Sequence, residues 1–116
     1  MKHSITRLPK NVRLVRSWMS GQTPWIYEGP ASRVVFDELP DVKFAVAKID
    51  RGWIIREETT GKSALVSGLH SSRAKAITEQ AEAIQRIANS PNGKKNGGMA
   101  YARKLFAEVM HHAKAP

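Results

Sequence analysis

Residues 42–49 read Val-Lys-Phe-Ala-Val-Ala-Lys-Ile; Asp50-Arg51-Gly52 and then Trp53-Ile54-Ile55-Arg56-Glu57-Glu58 follow. In an extended chain successive side chains point to opposite sides. Val42, Phe44 and Val46 therefore share one face, and Lys43, Ala45, Ala47 and Ile49 the other. Past the turn, Trp53, Ile55 and Glu57 alternate against Ile54, Arg56 and Glu58. Asp50-Arg51-Gly52 suits a reversal, with Gly52 free to take positive φ. Thr59-Thr60-Gly61-Lys62 reads as a second turn and residues 63–67 as a third strand. Three antiparallel strands joined by tight turns make a meander.

Downstream the period changes. Ala74, Ile77, Ala81, Ile84 and Ala88 recur at steps of three and four, one apolar stripe of a helix. Ser71 or Ser72 caps its start, because either hydroxyl can accept from a free backbone N–H. Asn89-Ser90-Pro91 ends it, since the residue before proline is driven out of the α region. Residues 91–98, Pro-Asn-Gly-Lys-Lys-Asn-Gly-Gly, read as a flexible cationic loop. A last helix over 99–112 places Ala102, Leu105, Phe106, Val109 and Ala113 on one side, with Arg103, Lys104, Glu108 and His111 opposite.

Upstream the signals are weaker. Residues 1–11 show no sustained period and contain Pro9, which predicts a flexible basic arm ahead of a single domain over 12–116. Residues 11–19 fit a strand with Val12 and Leu14 on one side; a helix would instead group Val12, Val15 and Met19. Residues 25–27 and 33–36 are β-prone and flank Gly29-Pro30-Ala31-Ser32, a four-residue hairpin loop. A short helix from Pro30 to Leu39 is the competing reading. The expected fold is α+β: an antiparallel meander of three to five strands, one long helix packed on it, and a C-terminal helix.

Composition narrows the class. At 116 residues, 41% hydrophobic and 25% charged, the chain suits one globular domain. It has no cysteine, hence no disulfide framework or thiol chemistry. No run approaches the ~20 apolar residues of a membrane span, and residues 1–11 lack the apolar stretch of a secretory signal. Their arginine-rich, acid-free composition matches a mitochondrial presequence, but Pro9 interrupts an amphipathic helix there; the expected location is cytoplasmic, with no membrane partner.

Several motifs invite chemistry. Gly61-Lys62-Ser63 resembles the tail of a phosphate-binding loop, but Arg56 stands where that motif needs glycine. His111 and His112 diverge by about 100° on a helix and cannot grip one metal together. Glu57 and Glu58 point to opposite sides of a strand rather than to one reacting atom. Asp37, Glu38 and Asp41 have no histidine or nucleophile near them in sequence. These readings predict no enzyme, no cofactor, no metal and no small-molecule substrate.

The charge is more informative. The net charge is +9, and residues 1–27 carry five basic residues and no acid. Residues 28–90 carry nine of each sign, and residues 91–116 carry five basic residues against Glu108. Cationic ends around a neutral body predict an anionic partner, DNA or RNA, held by phosphate contacts that release counterions. The candidate contacts are Arg7, Lys10, Arg13, Arg16, Lys94, Lys95, Arg103 and Lys104, with Trp18 placed to stack on a base. The two ends are expected to converge on one surface. No helix-turn-helix, zinc-finger or aromatic RNA-binding signature is present, so affinity is predicted ahead of sequence specificity. The alternative is a protein-interaction module or inhibitor, phage- or plasmid-type, that covers an acidic protein or nucleoprotein surface through a strand edge or the last helix. The strand-strand-strand-helix order, with Ser71-Ser72-Arg73-Ala74-Lys75-Ala76-Ile77 opening the helix, loosely resembles small antitoxin and accessory domains of bacterial mobile elements. No residue role is carried over from that resemblance.

Overall fold

The computed structural model describes residues 1–15, 25–61, 65–66 and 68–114. Six strands precede three helices: β1 His3–Arg7, β2 Val12–Val15, β3 Trp25–Gly29, β4 Ser32–Phe36, β5 Leu39–Ile49, β6 Gly52–Glu57, α1 Arg73–Asn89, α2 Pro91–Lys95 and α3 Met99–Lys114. Strands β1-β4-β5-β6 form one antiparallel sheet in that order, and β2 pairs with β3 in a second. The class is α+β, as the sequence predicts.

Strand β5 is buried on both sides. Phe44 and Val46 join Val34, Phe36 and Ile55 against Ile77 and Ile84 of α1 and Ala102 and Phe106 of α3. Edge-on aromatic contacts link the layers, with Phe36–Phe44 at 5.6 Å and Phe44–Phe106 at 6.1 Å between ring centroids. On the other face Ala45, Ala47 and Ile54 pack with Leu8, Leu14 and Ala31. The molecule thus has three layers: helices, the four-stranded sheet, and the β2–β3 ribbon.

Helix α1 matches its sequence signal closely. The Ser72 hydroxyl accepts from Lys75 N at 3.0 Å, and the helix ends at Asn89. Ile77, Ala81, Ile84 and Ala88 are buried, whereas Ala74 is exposed. Ala76, Gln80 and Ala83 are buried as well, because α1 packs against both the sheet and α3.

Four expectations change. Residues 3–7, expected within a flexible arm, are the edge strand β1, paired from His3↔Phe36 to Arg7↔Ser32. Both ends are fixed: Asp37 N donates to Lys2 O, Leu8 N donates to Ala31 O, and Leu8 is buried in the ribbon-side core. Residues 25–36 form no hairpin. Strand β3 pairs with β2, and β4 with β1 and β5, so Pro30 and Ala31 cross between sheets. The crossing is held by the Tyr27 hydroxyl, which donates to Pro30 O.

The meander also takes in β4, as β4–β5–β6, while the expected third strand over 63–67 lies mostly outside the described residues. Lys62, Ser63, Ala64 and Ser67 lie outside the described residues, and Leu65 belongs to no named strand. His70 instead bridges Trp53, with backbone bonds of 2.8 and 2.9 Å in the two directions. Gly52 is not among the positive-φ glycines of the described residues. A Cβ there would stand 2.7 Å from His70 O, so its bareness serves that close approach.

Residues 91–95, expected within a flexible loop, are the helix α2. Ser90 is its N-cap and accepts from Gly93 N at 3.0 Å, while Pro91 occupies the first turn. Gly93 is buried against the end of α1, where a Cβ would lie 2.2 Å from Ile87 O. Positive φ at Gly97 and Gly98 then turns the chain into α3.

Candidate nucleic-acid interface

The chain between β1 and β2 folds along the ribbon side of the sheet and faces the turn after β6. Between them lies an open groove of about 450 Å³, whose polar lining is Lys10, Asn11, Arg13, Arg33, Glu58, Thr59 and Thr60. Each comes from a different constraint. Leu14 is fully buried, so its neighbour Arg13 on β2 is turned outward. Arg33 stands opposite Ala45 in register, on the face the ribbon covers.

The turn carrying Thr59 and Thr60 is built by Glu57. Its buried carboxylate accepts from Thr59 N and Thr60 N, both at 2.8 Å, and Gly61 N donates to Glu57 O at 2.9 Å. Gly61 has φ of +72°, and a Cβ there would meet Arg13 O at 2.1 Å. The turn thus packs directly on the β2 backbone. The P-loop likeness dissolves at Gly61, which closes a turn off the end of a strand.

The groove's electrostatics are uneven. Arg33 makes a two-pronged contact with Glu58, Nε and Nη2 each donating at 2.7 Å. That hydrogen bonding, with the carboxylate's charge, holds the Arg33 guanidinium above its ordinary pKa. Arg13 Nε lies 3.3 Å from Glu28 Oε1, but both side chains are about 60% exposed (59% and 60%), so water screens the pair. Lys10 is exposed in the connecting segment. The two carboxylates singled out in the sequence do lie apart, Glu57 holding the turn and Glu58 holding Arg33.

Of the residues singled out by charge, Lys10 and Arg13 meet in this groove. Arg7 is exposed at the end of β1. Arg16 and Trp18 lie outside the described residues. Lys94 and Lys95 are exposed in the last turn of α2, and Arg103 and Lys104 are exposed on α3. Arg103 Nε donates to Glu38 O at 2.8 Å, tying α3 to the turn between β4 and β5.

Among the described residues the two cationic ends do not share this groove. Lys10 and Arg13 belong to the ribbon layer, and Lys94, Lys95, Arg103 and Lys104 to the helical layer, with the sheet between. The separation follows from the pleat: β5 and β6 bury alternate residues against different layers. The sequence reading missed Arg33, Thr59 and Thr60, which reach the groove only through pairing across distant strands, and Asn11, which lies beside Lys10 in the connecting segment. Arg33 also sits in the charge-neutral stretch, where counting charges gives no signal.

Trp53, Arg56 and His70 are tied into the fold. Trp53 is half-buried and packs on the helix-side core. Arg56 is 1% exposed, and Nη1 donates to Ile55 O at 2.8 Å; burial pushes its pKa down. His70 Nδ1 lies 2.8 Å from Glu79 Oε2, fastening the segment before α1 onto that helix. Among the described residues no three His, Asp or Glu side chains are grouped to hold a metal. The described helices include none long and apolar enough to cross a membrane. The His111 and His112 side chains lie outside what is described. No protein-family model matches the chain, and neither a curated protein nor a solved structure matches it.

Proposed function

We propose that this chain is a non-enzymatic accessory protein that binds the phosphate backbone of nucleic acid, with the ribbon-side groove as its principal contact. One observation carries the reading: the fold gathers Lys10, Arg13 and Arg33 around one open groove, beside Asn11, Thr59 and Thr60 and against a single lining carboxylate, Glu58, which orients Arg33. A phosphodiester oxygen accepts charge-assisted hydrogen bonds from such groups and rewards each neutralised phosphate with released counterions. Arg33 enters pre-oriented by Glu58, and Lys10 supplies a mobile point charge. Lys94, Lys95 and Lys104, each exposed on α2 or α3, raise encounter rate and non-specific affinity without reading bases.

Fluorescence anisotropy with a labelled oligonucleotide, single-stranded and then duplex, tests this over a salt series. Affinity falls steeply with salt, and the Lys10→Gln, Arg13→Gln double variant flattens the log–log slope by about one to two. Absence of binding at low salt overturns the reading. Binding that survives the groove variant unchanged removes the groove from it.

A further inference from the structure

Strand β1 is exposed at all five positions and ends the four-stranded sheet. Asp37 N donates to Lys2 O at one end, and Leu8 N donates to Ala31 O at the other. In an antiparallel ladder these bonds mark the hydrogen-bonded pairs, which alternate along the strand. Lys2, Ser4, Thr6 and Leu8 therefore turn their backbone groups toward β4. The N–H and C=O groups of His3, Ile5 and Arg7 point away from the sheet. They form an outward row of donors and acceptors, repeating every two residues at about 6.8 Å.

The opposite edge is treated differently. There the His70 bridge takes up both outward backbone groups of Trp53. On β1 the side chains also favour a visitor. Ile5 is 40% exposed and stands between His3 and Arg7 on one face, an apolar centre with a cationic end.

A second copy is a poor occupant. Lys2 and Lys10 flank the strand, Arg7 ends it, and residues 1–27 contain no acid. Antiparallel self-pairing would lay two such acid-free cationic segments side by side, and like charges across a sheet destabilise it. We propose that β1 receives an extended acidic segment of a partner protein, which adds to the sheet as a fifth strand. Main-chain bonds to His3, Ile5 and Arg7 supply the pairing, an apolar residue covers Ile5, and flanking carboxylates meet Arg7 and Lys2. This edge is distinct from the groove, and the inference does not depend on nucleic-acid binding.

The test uses the full chain, labelled with ¹⁵N, and the blocked peptide Glu-Thr-Val-Thr-Thr-Glu, which in antiparallel pairing sets its valine opposite Ile5 and its glutamates opposite Arg7 and Lys2; the same peptide with lysine for glutamate is the control. With the acidic peptide, amide exchange at His3, Ile5 and Arg7 slows by about tenfold or more, because newly bonded amides are protected. The lysine peptide leaves those amides unchanged. Ile5→Pro removes one outward donor and spares every β1–β4 bond, a position where an edge strand tolerates proline. It weakens the acidic peptide by about tenfold, the worth of one backbone hydrogen bond. If that variant fails to fold, Arg7→Glu replaces it and abolishes the preference for the acidic peptide. Four outcomes overturn the proposal. They are equal binding of both peptides, peptide shifts confined to Lys10, Arg13, Thr59 and Thr60, protection of the same amides by self-association, and their protection by an oligothymidine instead of the peptide.

Discussion

The two faces of β5 are both buried at its centre and differently built. Toward the helices stand Phe44 and Val46, packed against large side chains of both α1 and α3. Toward the ribbon stand Ala45 and Ala47, whose small side chains let two short strands lie close above the sheet. A two-stranded ribbon is marginal by itself, so β2–β3 depends on the few apolar anchors Leu8, Leu14 and Ile54. The helical layer therefore sets global stability. The ribbon layer positions the groove and should open at lower cost, so the proposed binding there is tied to local stability.

The largest expected effect tests the helical side. Phe44→Ala removes the ring between Phe36 and Phe106 and destabilises by about 3–5 kcal/mol, the range for a large core truncation. Urea unfolding followed by fluorescence and by circular dichroism should shift together. A loss below about 1 kcal/mol would mean the aromatic chain is not the main joint between sheet and helices.

Leu14→Ala should cost less, about 2–3 kcal/mol, because the ribbon can settle onto Ala45 and Ala47 as the cavity forms. The informative part is where it acts. Hydrogen exchange should rise in β2 and β3 while β5 and β6 stay protected, and affinity at the groove should fall with it. If β5 amides open to the same extent, the two layers are one cooperative unit and the contrast between them fails.

That contrast also explains what the sequence revealed. Strands β5 and β6 and helices α1 and α3 were legible because each carries a buried face with a regular period. Strand β1 was not: its five residues are all exposed, so no alternation records its pairing. Helix α2 was hidden by asparagine and glycine, poor helix formers. It forms because Ser90 and Pro91 start it and Gly93 fits against the end of α1. The partner of β3 was illegible because the turn signal at Gly29-Pro30-Ala31-Ser32 pointed to β4, whereas β3 pairs with β2, where Leu14 and Tyr27 pack with Ala45, Ala47 and Ile54. For the groove, Lys10 and Arg13 were visible as charge, whereas Arg33, Thr59 and Thr60 are brought there by register.

Ser90→Ala gives a smaller effect within the helical layer. One hydroxyl donates to Ile87 O at 2.7 Å and accepts from Gly93 N, so it closes α1 and opens α2. Its loss should cost about 1 kcal/mol, measured as a fall in the urea midpoint. Exchange should rise at Gly93 and its neighbours in α2 and leave the ribbon untouched. A rise in β2 or β3 would show that the helical ends and the ribbon communicate through the sheet.

The smallest structural effect belongs to the triple variant Lys94→Gln, Lys95→Gln, Lys104→Gln. All three side chains are exposed, so stability should change by no more than about 0.5 kcal/mol. Arg103 is left out because its Nε donates to Glu38 O and ties α3 to the sheet, mixing structure with charge. Under the proposed division of labour, the triple variant slows association with an oligonucleotide at low salt and leaves dissociation nearly unchanged, since distant charges steer encounter more than they hold a complex. The Lys10→Gln, Arg13→Gln variant should do the reverse, speeding dissociation. Stopped-flow anisotropy separates the two rates. Faster dissociation from the helical variant would place the bound backbone on α2 and α3 and reduce the groove to a steering charge.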